Sequence, residues 1–326
     1  MQIEMGLHQK AGTTLPSFVR SYIVTMRPYL LFVSGITGIA GLAFASEIPL
    51  TRTLLIGTAA FLSYGFGQAL TDCFQVDTDS LSAPYRPLIQ GDVTRTGVLW
   101  VSVAGLSLCV LVFALCNAWN LLIGFAAAAG LLTYTYFKRK WWAGPFYNAW
   151  IVTALFFMAF FAGGGSSTDF PLLFPALVIF FGYANFVLAG YFKDIAADRA
   201  TGYNTLPVAY GRRTAAFVSH LFAATAVVCA GYVFLSTGEG RLPWHLVAIS
   251  IFAGPGIAVM VWGQVRLHKV RTDVCAHRAI VPVVNGYILL LSGLAVRCRP
   301  DWFIPLMLFY LAFAVTLAER PSREQI

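Results

Sequence analysis

Charge is scarce in this sequence. Of its 326 residues, 11% are Asp, Glu, Lys or Arg, against 58% hydrophobic and 15% aromatic. A soluble domain carries about a quarter charged residues. A globule of this length could not wet its surface with so few, which excludes an ordinary soluble enzyme, a disordered chain and a nucleic-acid module. Cysteine is sparse as well. Cys73, Cys109, Cys116, Cys229, Cys275 and Cys298 form no CxxC pair and no framework spacing, so neither a zinc site nor a disulfide scaffold is indicated. Most of them lie in apolar runs, where cysteine acts as a small hydrophobe.

What is abundant is apolar length. A helix crossing the hydrocarbon core needs about 20 mostly apolar residues, and runs of that kind lie near 28–46, 54–74, 96–116, 118–137, 147–165, 170–192, 214–236, 243–264, 279–296 and 301–318. In lipid every backbone polar group must be satisfied within its own segment, which makes each run a helix. The last two runs are short and flank Arg297-Cys298-Arg299-Pro300, so the expectation is an all-α polytopic bundle of nine or ten transmembrane helices. It forms one integral membrane domain over 1–326, with a lead-in at 1–26, the bundle at 27–318 and a tail at 319–326. The first 26 residues do not read as a cleavable signal, because Glu4 stands where a basic region belongs and no apolar stretch precedes a small-residue cleavage site. Ser17 to Met26 reads as an interfacial lead-in to the first span.

Lysine and arginine orient the bundle. Threading the ten runs puts 18 of the 22 on the N-terminal side, among them Lys10, Arg86, Lys138, Lys193, Arg199 and Arg323; Arg52, Arg241, Arg297 and Arg299 fall opposite. The positive-inside rule then places the N-terminus, the even-numbered loops and the tail in the cytoplasm. The net charge of +8 is accounted for without a nucleic acid.

Five of the 14 acidic residues cluster in two of those loops: Asp72, Asp77 and Asp79 after the second run, Asp194 and Asp198 after the sixth. Four spans separate the loops, so two four-helix units of one orientation would form a parallel repeat with a site between the halves. If the second helix continues through its loop, Gln68, Asp72, Gln75 and Asp79 share one face and Asp77 lies off it. Asp194 and Asp198, at i and i+4, stack likewise. Carboxylates are hard oxygen ligands suited to magnesium, which takes one or two of them together with waters and substrate phosphates. Two such clusters could clamp a diphosphate, with Arg86, Lys138, Lys193 and Arg199 binding its remaining oxygens. The competing reading is that the loop aspartates only solvate helix ends.

In the order and spacing of these segments the chain resembles the UbiA family of intramembrane prenyltransferases. Asp194 to Pro207 matches a DxxxD signature followed by RxxGxxTLP without a gap. Tyr134 and Lys138 match a YxxxK stretch, Asn148 opens the next span, and Arg27-Pro28 at the first span is family-like. The first signature, NDxxDxxxD before a YRP-type stretch, falls on Thr71, Asp72, Gln75 and Asp79, so an Asn has become Thr and an Asp has become Gln.

The resemblance implies two Asp-rich cytoplasmic loops over a central cavity and Mg2+ held by Asp72, Gln75, Asp79, Asp194 and Asp198. Arg86, Lys138, Lys193 and Arg199 would cradle the diphosphate of a prenyl diphosphate. The catalytic set would be Asp72, Asp79, Asp194 and Asp198, and the prenyl group would pass to an aromatic or other lipophilic acceptor. A pocket of Tyr134, Asn148, Tyr183 and Asn185 would take the organic part, with membrane lipid around it and no nucleic acid. Tyrosine faces, including Tyr191, offer cation–π contact to an allylic cation. For Tyr191 an interfacial-belt position is the preferred reading. His220, mid-span, reads as a neutral histidine bonded between helices, and interhelical hydrogen bonding is the commoner role for Asn185 and Asn285. Gly163-Gly164-Gly165 is no phosphate loop, since no Lys-Ser/Thr follows. A terpene cyclase on the same scaffold is the alternative, and a secondary transporter a more distant one.

Overall fold

A computed structural model describes residues 14–46, 48–166, 172–236 and 246–320. Lys10, Arg241 and Arg323 of the charge count, Glu4 of the N-terminal reading, and the ends of the lead-in and tail lie outside them. Among the described residues every regular element is helical, with no strand.

The chain begins with α1 (Leu15–Met26) and α2 (Pro28–Phe44), bent from one another by 58°. The bend sits at Arg27, the one non-glycine residue with positive φ among those described, at 54°. Pro28 follows it as the first residue of the new helix, where its missing N–H costs nothing. Helix α1 buries Tyr22, Thr25 and Met26 and exposes Leu15, Val19 and Ile23. The spans continue as α3 (Leu50–Asp72), α6 (Arg95–Cys116), α7 (Trp119–Lys138), α8 (Gly144–Ala162), α9 (Leu173–Gly190) and α11 (Leu206–Leu235). Between them lie the short helices α4 (Val76–Ser82), α5 (Pro87–Gln90) and α10 (Ile195–Ala200). The C-terminal part holds α12 (Gly254–Leu267), entered through a π-helical stretch Ala248–Ala253, then α13 (His277–Cys298) and α14 (Phe303–Ala318).

Nine helices among the described residues are long and apolar enough to cross a membrane, and the bent α1–α2 pair makes a tenth. The chain is an integral, multi-pass membrane protein. The ambiguity in the count falls at the first span, not at the last two: α13 runs 22 residues because it begins back at His277, and Pro300 simply starts a new helix. Helix α11 likewise begins earlier than its apolar run, since Leu206–Tyr210 forms helix ahead of a break at Gly211, where φ is 81°.

Outer helices leave large apolar residues facing outward, such as Trp100, Leu111 and Leu122. Inside, α13 is buried along nearly its whole length and packs on α12 and α2. Gly256 and Gly286 let α12 and α13 approach closely: a Cβ on Gly256 would lie 2.9 Å from Leu289 and one on Gly286 2.8 Å from Met260. Small residues at such crossings are the usual means of packing helices in lipid. His220 points outward from α11 and does not bond between helices.

Candidate active site

Both acidic segments break their helices. Helix α3 stops at Asp72; Gln75 (φ −120°) caps the start of α4. After α9 a single 3-10 turn, Tyr191–Lys193, leads to Asp194 (φ −112°), which caps α10. The expectation of continuous helical faces is therefore corrected in its geometry. Turns at both places still bring the intended residues to one side: Gln68, Asp72, Gln75, Asp79 and Asp194 line a single cavity with Arg27, Arg86, Lys138 and Lys193. Asp77 faces away, pairing with Arg139 at 3.1 Å and accepting from Tyr203 Oη at 3.2 Å. The two segments also touch, through Thr78 Oγ1 and Thr201 Oγ1 at 3.0 Å.

The mouth of the cavity is a lattice of opposite charges. Asp72 accepts two hydrogen bonds from Arg27 Nη2, at 2.8 and 2.9 Å, and one from Gln68 Nε2 at 2.7 Å. Arg86 pairs with Asp79 and stands 3.7 Å from Asp72, so one guanidinium lies between two carboxylates. Lys138 Nζ donates to Gln75 Oε1 at 2.8 Å and lies 3.7 Å from Asp198 Oδ1, with the rings of Tyr191 and Tyr203 at 5.6 and 5.2 Å. Asp198 is fully buried behind the cavity wall; its Oδ2 accepts from Thr205 Oγ1 at 3.2 Å, while its Oδ1 has no hydrogen-bond donor. Counting Asp198, four carboxylates and four cations meet here.

Burial pushes the Asp198 carboxyl up to about 6, against the opposing pull of Lys138. Burial also raises Asp79, with Arg86 working the other way. For Arg86 itself burial disfavours the charge, but Asp79 and Asp72 outweigh it and hold the guanidinium above its usual value.

Below the mouth the walls turn aromatic and then aliphatic. Tyr64, Tyr134, Tyr183 and Tyr191 face the cavity with Asn148, and the Tyr134 and Tyr191 hydroxyls meet at 3.0 Å. The belt position expected for Tyr191 is overturned: it is 4% exposed and lies on the cavity wall. Gly144 makes room for its hydroxyl, since a Cβ there would collide with it.

Three expected site residues do not line the cavity: Asp198, buried behind its wall, Arg199 and Asn185. Arg199 is exposed on α10, because neighbours on a helix point about 100° apart and Asp198 takes the inward direction. Asn185 is also elsewhere: α9 presents Tyr183, Phe186, Val187 and Gly190 to the cavity, and Asn185 sits on its other face. There its Oδ1 accepts from Ser219 at 2.6 Å and Gln264 at 2.8 Å. Asn285 likewise accepts from Tyr310, at 2.8 Å. Conversely, Arg27 and Tyr64 line the cavity without having been singled out as site residues. For Arg27 the signal available was a cation directly before Pro28 at the head of a span.

The donor chemistry fits a magnesium ion. The oxygens are hard, Arg86 already occupies a cation's position between Asp72 and Asp79, and Asp198 keeps a buried oxygen without a donor. Among the described residues no three acidic, histidine or cysteine side chains gather around one point, but magnesium commonly takes only one or two carboxylates with phosphate and water completing the shell.

The chain is 31% identical over 261 residues to a digeranylgeranylglyceryl phosphate synthase of Halobacterium salinarum, covering 76% of this chain and 87% of that one. To the synthase of that name from Thermococcus kodakarensis it is 29% identical over 224 residues, 68% and 79% of the two chains. Its fold resembles a UbiA homolog from Archaeoglobus fulgidus bound to DMAPP and Mg2+, with a TM-score of 0.65 at 18% identity over 86% of this chain and 99% of that one. An apo UbiA homolog from Aeropyrum pernix K1 gives a TM-score of 0.67 at 20% identity, over 82% and 96%. The sequence pattern of the UbiA prenyltransferase family matches residues 31–280, and the chain accordingly belongs to that family and is a membrane prenyltransferase.

Proposed function

We propose that the protein transfers the prenyl group of an allylic prenyl diphosphate to a lipophilic acceptor in a Mg2+-dependent reaction that releases diphosphate. The single observation carrying this reading is the cavity that joins a mouth of Asp72, Asp79, Asp194, Arg27, Arg86, Lys138 and Lys193 to an apolar interior past four tyrosines. A diphosphate with a hydrocarbon tail has that same division of chemistry.

Asp72, Asp79, Asp194 and Asp198 would hold the metal, which supplies positive charge to the departing diphosphate. Arg27, Arg86, Lys138 and Lys193 bind its non-bridging oxygens, acting where negative charge develops as the C–O bond breaks. For Arg27 and Arg86 this means exchanging carboxylate partners for phosphate oxygens. The tyrosine faces stabilise the allylic cation, and the apolar walls keep water from it. Gln75, whose carbonyl is held by Lys138, orients that lysine between the two segments. Tyr134 and Asn148 border the place where acceptor and donor meet. The basic residues gathered in the loops at this end support a cytoplasmic position for the mouth.

For the acceptor, the similarity to digeranylgeranylglyceryl phosphate synthases favours a glyceryl phosphate lipid over an aromatic ring. The test is diphosphate release from geranylgeranyl diphosphate by purified protein in detergent, with Mg2+ or EDTA, alone and with each acceptor class. Release that needs both Mg2+ and the glyceryl phosphate lipid, and falls at least about 100-fold in Asp194→Asn, is expected, since loss of one transition-state electrostatic contact costs on that order. Release without any acceptor, with a hydrocarbon or alcohol product, would replace transfer by cyclisation.

A further inference from the structure

The two acidic segments touch along one edge and part along the other. Where they touch, Thr78 and Thr201 meet at 3.0 Å, and Arg139 pairs with Asp77 while its guanidinium lies 4.4 Å from the centre of the Tyr203 ring. Thr78 and Tyr203 are buried, and the Asn204 N–H donates to the Arg139 carbonyl at 3.2 Å. The same Tyr203 ring covers Lys138, so the mouth is roofed on that side.

Where the segments part, a second cavity of about 350 Å³ opens. Its size is at the small end of the range for small-molecule sites, roughly 300–1,000 Å³. Ser82 and Tyr85, at and just past the end of α4, line one side, and Ala196 on α10 lines the other. The loop before α13 closes it with Asp273 and Val274. Lys193 and Asp194 line both cavities, so the second begins at the charged mouth of the first. Its rim is open to water: Ala196 is exposed, as are Leu81 and Val274, at 57% and 63%.

Prenyl transfer leaves two products of opposite solubility. The prenylated lipid stays in the bilayer, whereas diphosphate cannot retreat through apolar walls, because burying unpaired charge is too costly. We propose that the second cavity is the passage by which diphosphate leaves for the water, with Lys193 at its entrance. The proposal rests on the prenyl diphosphate reading above and adds an exit to it. A passage must admit its cargo without keeping it. The lining meets that condition, since Lys193 acts against Asp194, and Asp273 is already paired with Arg212. Ser82 Oγ, without a hydrogen-bond partner among the described residues, offers a neutral polar contact on the way.

The test reads dissociation, so that it does not depend on turnover. Radiolabelled diphosphate is bound with Mg2+ to the full chain in detergent and chased with unlabelled diphosphate, in wild type, Ala196→Trp and Val274→Trp. The two substitutions narrow the rim from different segments, and Ala196→Trp keeps the N–H that reaches Asp273. Each is expected to slow diphosphate dissociation at least about fivefold with affinity changed by less than about twofold, because a narrowed passage slows entry and exit alike. A binding site would instead lose affinity. Unchanged binding of an unreactive geranylgeranyl thiolodiphosphate shows that a variant keeps its fold and its first cavity. Unchanged diphosphate dissociation in variants that pass this check overturns the passage. So does a weakened affinity for glyceryl phosphate lipid beside unchanged diphosphate dissociation, which would give the cavity to the acceptor headgroup. Failure of the function reading looks different: wild type would bind neither diphosphate nor the thiolodiphosphate.

Discussion

Arg27 shows how a side chain can be placed by backbone geometry that its neighbours demand. With Pro28 fixing the next helical residue and φ at 54°, the chain turns by 58° and the guanidinium is carried onto Asp72. A buried carboxylate needs such a partner, because stripping one member from a buried pair leaves an uncompensated charge. Asp198 is only partly compensated, and its carboxyl sits near 6 instead of 3.8. The folded protein thus holds a proton that the unfolded chain releases between those values. Its contribution to stability is full below the ordinary carboxyl range and is lost as pH rises through about 6. Cation binding runs in the opposite direction, since the proton must leave first. Mg2+ affinity, followed by calorimetry, is expected to fall by about a factor of ten per pH unit below pH 6, and the Asp198→Asn variant should lack that slope. An affinity that stays flat through this window in wild type would remove Asp198 from the cation site. At this scale the chemistry-bearing residue types were readable, but their directions were less so. Asp72, Asp79 and Lys138 reach the cavity region as the motifs indicate, whereas Arg199 turns out to solvent and Tyr191 turns in, because two short helices and a 3-10 turn decide both.

At the scale of elements, the second acidic segment is held from behind. Asp273 accepts the N–H of Ala196, at the start of α10, at 2.7 Å and pairs with Arg212 just past the break in α11. One carboxylate thereby fixes the short helix that carries Asp198 against the helix that follows it. Removing it by Asp273→Ala should leave that helix loosely placed, costing about 1 kcal/mol of stability for the lost hydrogen bond. Turnover should fall by roughly tenfold, since misplacement of reacting groups by an ångström has costs of this order or larger. Chemical denaturation and steady-state rates check both numbers, and unchanged rates would mean that α10 holds its place without Asp273. Nothing in the sequence marks this residue: it lies 75 positions after Asp198, in a loop between two spans, and its partners come from two other segments. The spans, by contrast, were legible because lipid imposes a minimum apolar length on each. Helix breaks at Asp72–Gln75 and Tyr191–Asp194 were not, since an i, i+4 pattern reads the same through a single extra turn.

Over the whole molecule, the legible part is what the bilayer dictates: the all-α bundle, the pairing of two loops at one end, and an apolar interior beneath them. Hidden from the sequence are the contacts between distant helices, such as Asn185 with Ser219 and Gln264, or Asn120 beneath the cavity. They depend on which faces meet, and every face of these helices is apolar enough to meet any other. The balanced mouth has a further consequence for how substrate arrives. Four negative and four positive side chains at the mouth cancel one another at a distance, so the site itself adds little to the field of the basic loops around it. Long-range attraction of a diphosphate therefore belongs to the loops, and the site acts at contact. Raising ionic strength from about 50 to 500 mM shortens the Debye length from roughly 14 to 4 Å, so the second-order rate constant for substrate capture should fall across that range. Stopped-flow capture checks this, and a rate constant unchanged across the range would mark the hydrocarbon tail, already in the membrane, as the part of the substrate that finds the protein first.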